Sequence, residues 1–150
     1  MLETLTKRGV HRFYQRWSPR VFAFCRLLFG DEAEAGKAVK EAFHAYFERD
    51  LPLDWAGLPT FLFVFALDGA KNRVQERTGT AEGLQFEEAL LFLPIRDRAV
   101  FILRNVMDLE EVVVGEIVEI PAHEVRKRWM RSLMRMRELQ AKDYFKEQRG

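Results

Sequence analysis

The stretch that decides the fold is residues 109–137, LEEVVVGEIVEIPAHEVRKRWMRSLMRMR. It places an apolar half-stripe, a turn punctuated by Pro121 and a basic helix one after another. Gly115 supplies the small residue that two closely crossing helices need, and Ile120 and Val125 can fill the wedge between them. Pro121 suits the first turn of the second helix, where its missing N–H would have no intrahelical partner. The pattern predicts a helix-turn-helix.

The same stretch leaves an alternative open. The segment VVVGEIVEI, residues 112–120, is rich in β-branched residues and could form a strand. Glu119 also stands where a glycine would relieve a left-handed backbone, at a cost of about 1 kcal/mol if that conformation is used. A strand here would remove the helix-turn-helix from the prediction.

The second helix of the pair is predicted to have a basic outer side. On a helical wheel Val125, Trp129, Ser132 and Met136 share the inner side, and the opposite side carries His123, Lys127, Met130, Arg131 and Met134. No acid lies between Val125 and Glu138, whereas that stretch holds the cations Arg126, Lys127, Arg128, Arg131, Arg135 and Arg137. The charges alone would favour a solvated helix face, but charge, turn and wedge together favour DNA binding.

Composition indicates a globular protein without a strong overall charge. The 150 residues are 48% hydrophobic and 31% charged, and the formal net charge is +1, so any binding to nucleic acid has to come from a local patch. Cys25 is the only cysteine, which favours a reducing compartment, and we expect a cytoplasmic protein. The longest apolar run, residues 61–67, is far below the ~20 residues of a membrane span, so no membrane insertion is expected.

Residues that could carry catalysis are scattered. The three histidines and the cysteine, His11, His44, His123 and Cys25, are not at metal-ligand spacing, so we expect no metal and no cofactor. No nucleophile with a nearby base and no paired-carboxylate arrangement stands out. The sequence therefore predicts a protein that is not an enzyme.

Helical periodicity elsewhere predicts an all-α fold of two small bundles joined by a linker. The first bundle would hold helices at 10–29, at 35–46 and from 58 or 60 to 74. Gly30 would end the first of these helices, and Asp31 would cap the second. The Gly-rich polar segment ERTGTAEGL has the composition of a linker. We expect domains at 1–75 and 86–150 with the linker at 76–85, and further helices at 86–93 and 97–107.

This order of elements resembles the extracytoplasmic-function sigma factors of bacterial RNA polymerase, and the resemblance covers nearly the whole chain. FYQRWSPRVFAFCRLLFGD and AVKEAFHAYF look like that family's opening helix, Gly-Asp turn and second helix. LPIRDRAVFILRNVMDL and IPAHEVRKRWMRSLMRMREL look like its Leu-Pro start, apolar helix and basic recognition helix. The resemblance implies binding to promoter DNA and to the RNA polymerase core, with an anti-sigma factor as a further potential partner.

Site residues follow from the two halves. For DNA we expect His123, Arg126, Lys127 and Arg131 at bases and phosphates, and Arg128, Arg135 and Arg137 at phosphates or the domain's own acids. The resemblance assigns core or partner binding to Lys37, Lys40, Glu41 and His44, and promoter melting to Phe63, Lys71 and Arg73.

The chain also departs from the family pattern. Lys37 and Lys40 stand where the family has an acid and a glutamine, and Val64, Leu67 and Asp68 stand where polar or basic groups are usual. The alternative is therefore a degenerate sigma-like module for protein interaction, without promoter melting. It would bind an anti-sigma factor or act as a regulatory adaptor, and an apolar face of Phe63, Val64 and Leu67 would suit it.

Overall fold

The computed structural model describes residues 2–49, 57–74 and 76–141, with side chains from residue 9 onward. In these residues the chain forms helices and no strand. The helices are α1 Leu2–Phe29, α2 Glu32–Glu48, α3 Leu58–Arg73, α4 Phe86–Leu90, α5 Ile95–Phe101, α6 Glu111–Val118 and α7 Ala122–Gln140. The all-α prediction is confirmed. The strand alternative is wrong, because α6 occupies that segment and buries Val114, Ile117 and Val118 at helical spacing.

The chain divides into two compact units, Met1–Asn72 and Arg73–Gly150. In the first unit the turn between α1 and α2 follows the predicted signals. Gly30 has a φ of 73°, a conformation that glycine adopts without steric cost. The Asp31 carboxylate accepts hydrogen bonds from the backbone N–H groups of Ala33 at 2.8 Å and Glu34 at 3.2 Å, so it caps α2.

Aromatic rings fill the core of the first unit. Phe13 of α1 stacks on Tyr46 of α2 with ring centroids 5.2 Å apart. Phe24 of α1 meets Phe63 of α3 edge-on at 5.1 Å, and Tyr46 meets Phe61 of α3 at 5.5 Å. Ring pairs of this geometry each add about 0.5–1.5 kcal/mol beyond the area they bury. Bulky rings therefore hold α3 to both other helices.

In the second unit α7 packs against α4, α5 and α6. The buried side chains of this unit are mostly aliphatic: Leu90, Leu93, Val100, Ile102, Leu103, Val114, Val118, Val125, Met136 and Leu139. The helix predicted at 97–107 begins two residues earlier, at Ile95, and changes at Ile102–Val106 into a π-helical turn. There the Met107 N–H donates to the Ile102 carbonyl at 3.0 Å. Asp108, with a φ of 57°, ends the element.

The segment predicted as a linker, residues 76–85, is bound to the second unit. The N–H groups of Gly83 and Leu84 donate to the carbonyls of Ala141 and Leu139 at 2.8 and 3.0 Å. The Arg77 N–H donates to the Leu91 carbonyl at 3.0 Å. The Glu76 carboxylate accepts from the Ile95 N–H at 2.9 Å, close to the start of α5. These bonds attach the segment to both ends of the helical unit that follows it.

The last helix ends at Gln140, and Ala141 after it has an extended backbone. Among the described helices, none has the length and apolar character required to cross a membrane.

Candidate nucleic-acid interface

The connection between α6 and α7 brings two backbones into close contact. A Cβ placed on Gly115 would lie 2.6 Å from the Ile120 carbonyl oxygen, so no larger residue fits without a backbone shift. Glu119 adopts the left-handed conformation, with φ 63° and ψ 47°, and the Ile120 N–H donates to the Gly115 carbonyl at 3.0 Å. The predicted need for a small residue at Gly115 is confirmed. Pro121 directly precedes α7, one position before the predicted first turn.

The outer side of α7 is exposed as predicted. His123, Arg126, Lys127, Met130, Arg131, Met134 and Arg137 face solvent, while Val125, Ser132 and Met136 are buried. Two exposed methionines thus lie among exposed cations on one helix face. The exposed cations give this face a local positive charge.

Sequence reasoning missed Asp97, which organises two of the predicted DNA-binding arginines. This carboxylate is 5% exposed and lies in the first turn of α5. It accepts from Arg128 at 3.0 Å, and both of its oxygens accept from Arg131 at 2.9 and 3.0 Å. A signal was present in the sequence, because Asp97 shares the inward stripe of Val100 and Leu103 at helical spacing. A buried acid on such a stripe needs a cationic partner.

Two further predicted arginines of α7 are also engaged. Arg126 donates to Glu111 of α6 at 3.0 Å across the turn. Arg135 donates to the Gly79 carbonyl at 2.7 Å and to Glu138 at 3.5 Å. Among the described residues, the side chains of His123, Lys127 and Arg137 have no hydrogen-bonding or ionic partner. These three side chains of the outer face can bind a ligand without breaking an internal bond.

Trp129 is held by the π-helical turn. Its Nε1 donates to the Asn105 side-chain oxygen at 2.6 Å, and the Arg104 guanidinium lies 4.7 Å from the ring centroid. Arg104 also donates to the Leu109 carbonyl at 2.8 Å. One face of the indole is thus covered by a cation. This arrangement is more typical of a structural tryptophan than of one that stacks on a nucleic-acid base.

Burial shifts the pKa of two groups outside the outer face. Desolvation lowers the pKa of Arg98 to about 10, an effect that the Glu76 carboxylate opposes. Arg98 remains charged at neutral pH and donates to the carbonyls of Leu91 and Leu93 at 3.1 Å. Burial also raises the pKa of the Cys25 thiol to about 12, so this cysteine is not a reactive thiolate at neutral pH.

The predicted core-binding residues lie on the exposed side of α2. Lys37 is 3.4 Å from Glu34, and His44 is 3.0 Å from Glu48. Lys40 and Glu41 are exposed. An open cleft between α2 and α3 collects part of this set: it is lined by Glu41, His44, Ala45, Glu48, Arg49 and Phe65.

The predicted promoter-melting residues are not brought together on one surface. Phe63 is 3% exposed, packed edge-on against Phe24, and Leu67 is 1% exposed. The prediction of an exposed face containing Phe63 and Leu67 is therefore wrong. The reason is that α3 is apolar almost all round, so periodicity did not show which side would be buried. Lys71, 3.4 Å from Asp68, and Arg73 are exposed near the end of α3.

No protein-family model matches the chain, and no curated protein matches it. In the described residues, no group of three or more His, Cys, Asp or Glu side chains is placed to hold a metal ion.

Proposed function

We propose that the chain is a sigma-factor-like transcription protein whose α6 and α7 act as a helix-turn-helix on promoter DNA. The observation that carries the proposal is the close turn at Gly115, which projects α7 with a basic, exposed outer face. A second helix presented in this way can enter the major groove with its first turns. The sigma-like part of the proposal rests on the sequence resemblance alone.

Within this proposal the contacts of α7 have different roles. Lys127 and His123 reach base edges or phosphates directly, because no described residue engages them. Arg126 can contact phosphate only by sharing or leaving Glu111, and Arg131 only by sharing or leaving Asp97. The Arg128 side chain is only 29% exposed and binds the protein's own acid Asp97, one of the two roles expected for it.

Selection of duplexes from a random pool by the full chain tests DNA recognition. The proposal expects a shared sequence to be enriched over successive rounds, because base-edge contacts discriminate where phosphate contacts do not. If the pool binds at low salt but no sequence is enriched, α7 binds DNA by electrostatic attraction to the phosphates alone. That outcome would reject promoter recognition by this helix.

The proposed second partner is the RNA polymerase core, bound through the exposed side of α2. Lys37 and Lys40 replace the acid and glutamine of the family pattern, so the core affinity should be low for a sigma factor. Lys37→Asp combined with Lys40→Gln should raise that affinity, measured by titration of labelled protein with purified core. Unchanged or lower affinity would show that this side of α2 is not the contact surface.

The alternative is a protein-interaction module without promoter melting, and the burial of Phe63 supports only its second part, because it also removes the apolar face expected for a protein partner. Phe63 is buried, and so no aromatic face is offered there to an unstacked base, as single-strand capture requires. The two functions differ in a simple measurement. A module of this kind would form a stable complex with a protein partner while showing no saturable binding to duplex DNA at low salt.

A further inference from the structure

We propose that Met130 is a specificity-determining residue that contacts the C5-methyl group of a thymine in the major groove. The inference rests on the proposed DNA-binding function and adds the class of base pair that is read. Met130 is 50% exposed and lies on the outer face of α7 with Lys127 one turn before it. Thymine is the one unmodified base that presents a methyl group in that groove.

The engagement of the neighbouring arginines carries the argument. The commonest specific contact in the major groove is an arginine on guanine, and it needs a guanidinium free to form two parallel hydrogen bonds. Arg126 donates through Nε to Glu111, and Arg131 donates through one Nη to both oxygens of Asp97, so turning either guanidinium onto a base disturbs an internal ion pair. The outer-face side chains in the first turns of α7 that carry no such internal bond are His123, Lys127 and Met130.

The position of Met130 along α7 places it in the groove. From His123 to Met130 the helix rises about 10 Å at about 1.5 Å per residue, comparable with a major groove about 12 Å wide. Met134, 62% exposed, lies about 6 Å further along, where a helix entering with its N-terminal turns reaches the groove edge. Met130 rather than Met134 is thus at the depth of the base edges.

The chemistry of the side chain selects the base. The methionine thioether has no N–H or O–H to donate, and its side chain is flexible and polarizable. Its contact is therefore most favourable against an apolar group. Against guanine or cytosine it would leave polar edge atoms without partners. The thymine methyl is the complementary surface, and burying one such group changes affinity by about three- to fivefold.

The test replaces thymines one at a time with deoxyuridine, which lacks only the C5-methyl group. Fluorescence anisotropy measures the affinity of the full chain for the duplex enriched by selection and for each substituted duplex. One position should lose about three- to fivefold in affinity. Met130→Ala should show the same loss on the thymine duplex and no additional loss on the deoxyuridine duplex.

Matched variants separate this contact from general effects. Met134→Ala should retain the wild-type sensitivity to deoxyuridine, and Met130→Leu should keep most of it, because leucine also offers an apolar end. Equal sensitivity in wild type and Met130→Ala, or no sensitive thymine, would overturn the inference while leaving DNA recognition intact. Absence of saturable duplex binding would instead reject the proposed function and the inference together.

Discussion

Among single residues, the buried Asp97 carboxylate is the charge that binds the middle of α7 through Arg128 and Arg131. Asp97→Asn keeps the shape but removes the charge that faces Arg128 and Arg131, and hydrogen bonds to charged groups are worth about 1.5–3 kcal/mol. We expect the free energy of unfolding of Asp97→Asn, measured in urea, to be about 1–3 kcal/mol lower than that of wild type. Glu138→Gln is the control, because its contact with Arg135 is exposed and 3.5 Å long, and it should change stability by less than about 0.5 kcal/mol. Equal effects of the two substitutions would contradict the role of Asp97.

The Cys25 thiol gives a prediction about alkaline pH. Burial raises its pKa from 9.0 to about 12, so below pH 9 it is protonated in both the folded and the unfolded chain and its full contribution to stability is present. Above pH 9 the unfolded thiol ionises first, and this contribution is lost as pH rises toward 12. The free energy of unfolding should fall with pH more steeply in wild type than in Cys25→Ala, by on the order of 1 kcal/mol per pH unit. Parallel pH profiles for the two proteins would exclude the effect.

At the scale of elements, the turn between α6 and α7 depends on a missing side chain. Gly115→Ala forces a Cβ against the Ile120 carbonyl, a backbone atom that cannot move aside alone, and overpacking of this kind costs about 1–3 kcal/mol. Gly36→Ala in α2 is the matched control, since a Cβ there meets nothing within 4 Å. It should be neutral or stabilising by up to about 1 kcal/mol. Thermal unfolding of the two variants measures the difference, and a Gly115→Ala protein as stable as wild type would contradict the close crossing.

The left-handed Glu119 gives the opposite prediction for the same turn. A non-glycine residue in this conformation costs about 1–2 kcal/mol, which glycine avoids. Glu119→Gly should therefore raise the free energy of unfolding, measured by thermal unfolding, by up to about 1 kcal/mol once the greater freedom of glycine in the unfolded chain is counted. A decrease in stability would mean that the Glu119 side chain makes a favourable contribution larger than the strain.

How far the sequence predicted an element depended on where its determinants lie. The α6–α7 turn and the capping of α2 by Asp31 were predictable, because the deciding residues are neighbours in sequence. The π-helical turn was not, since its Arg104 and Asn105 contact Trp129 more than 20 positions away. The burial of Phe63 was missed for a related reason: on a helix that is apolar almost all round, packing partners decide which side faces inward.

At the scale of the whole molecule, the segment at 76–85 is part of the second unit's structure. Its composition suggested a linker because glycines and polar residues are typical of flexible chain. The sequence did not show its hydrogen bonds, since the backbone partners are remote along the chain. A fragment of residues 73–150 should therefore unfold at a higher temperature than a fragment of residues 84–150. We expect a difference of about 5 °C or more, because the shorter fragment loses the bonds to Leu91, Ile95 and Ala141. Identical midpoints would show that the segment contributes nothing to stability.

A salt-dependent titration of the full chain tests whether the outer face of α7 reads DNA sequence, as we propose. Wild type, Lys127→Ala and Arg137→Ala are compared on the enriched duplex and on a scrambled one at several salt concentrations. Lys127→Ala should cost about 1–3 kcal/mol on the enriched duplex and less on the scrambled one. Arg137→Ala, further along α7, should affect both duplexes equally, lowering the log–log salt slope by about 0.9 if it contacts phosphate, or have no effect. If the folded chain shows no saturable binding at low salt, the outer face of α7 does not read DNA.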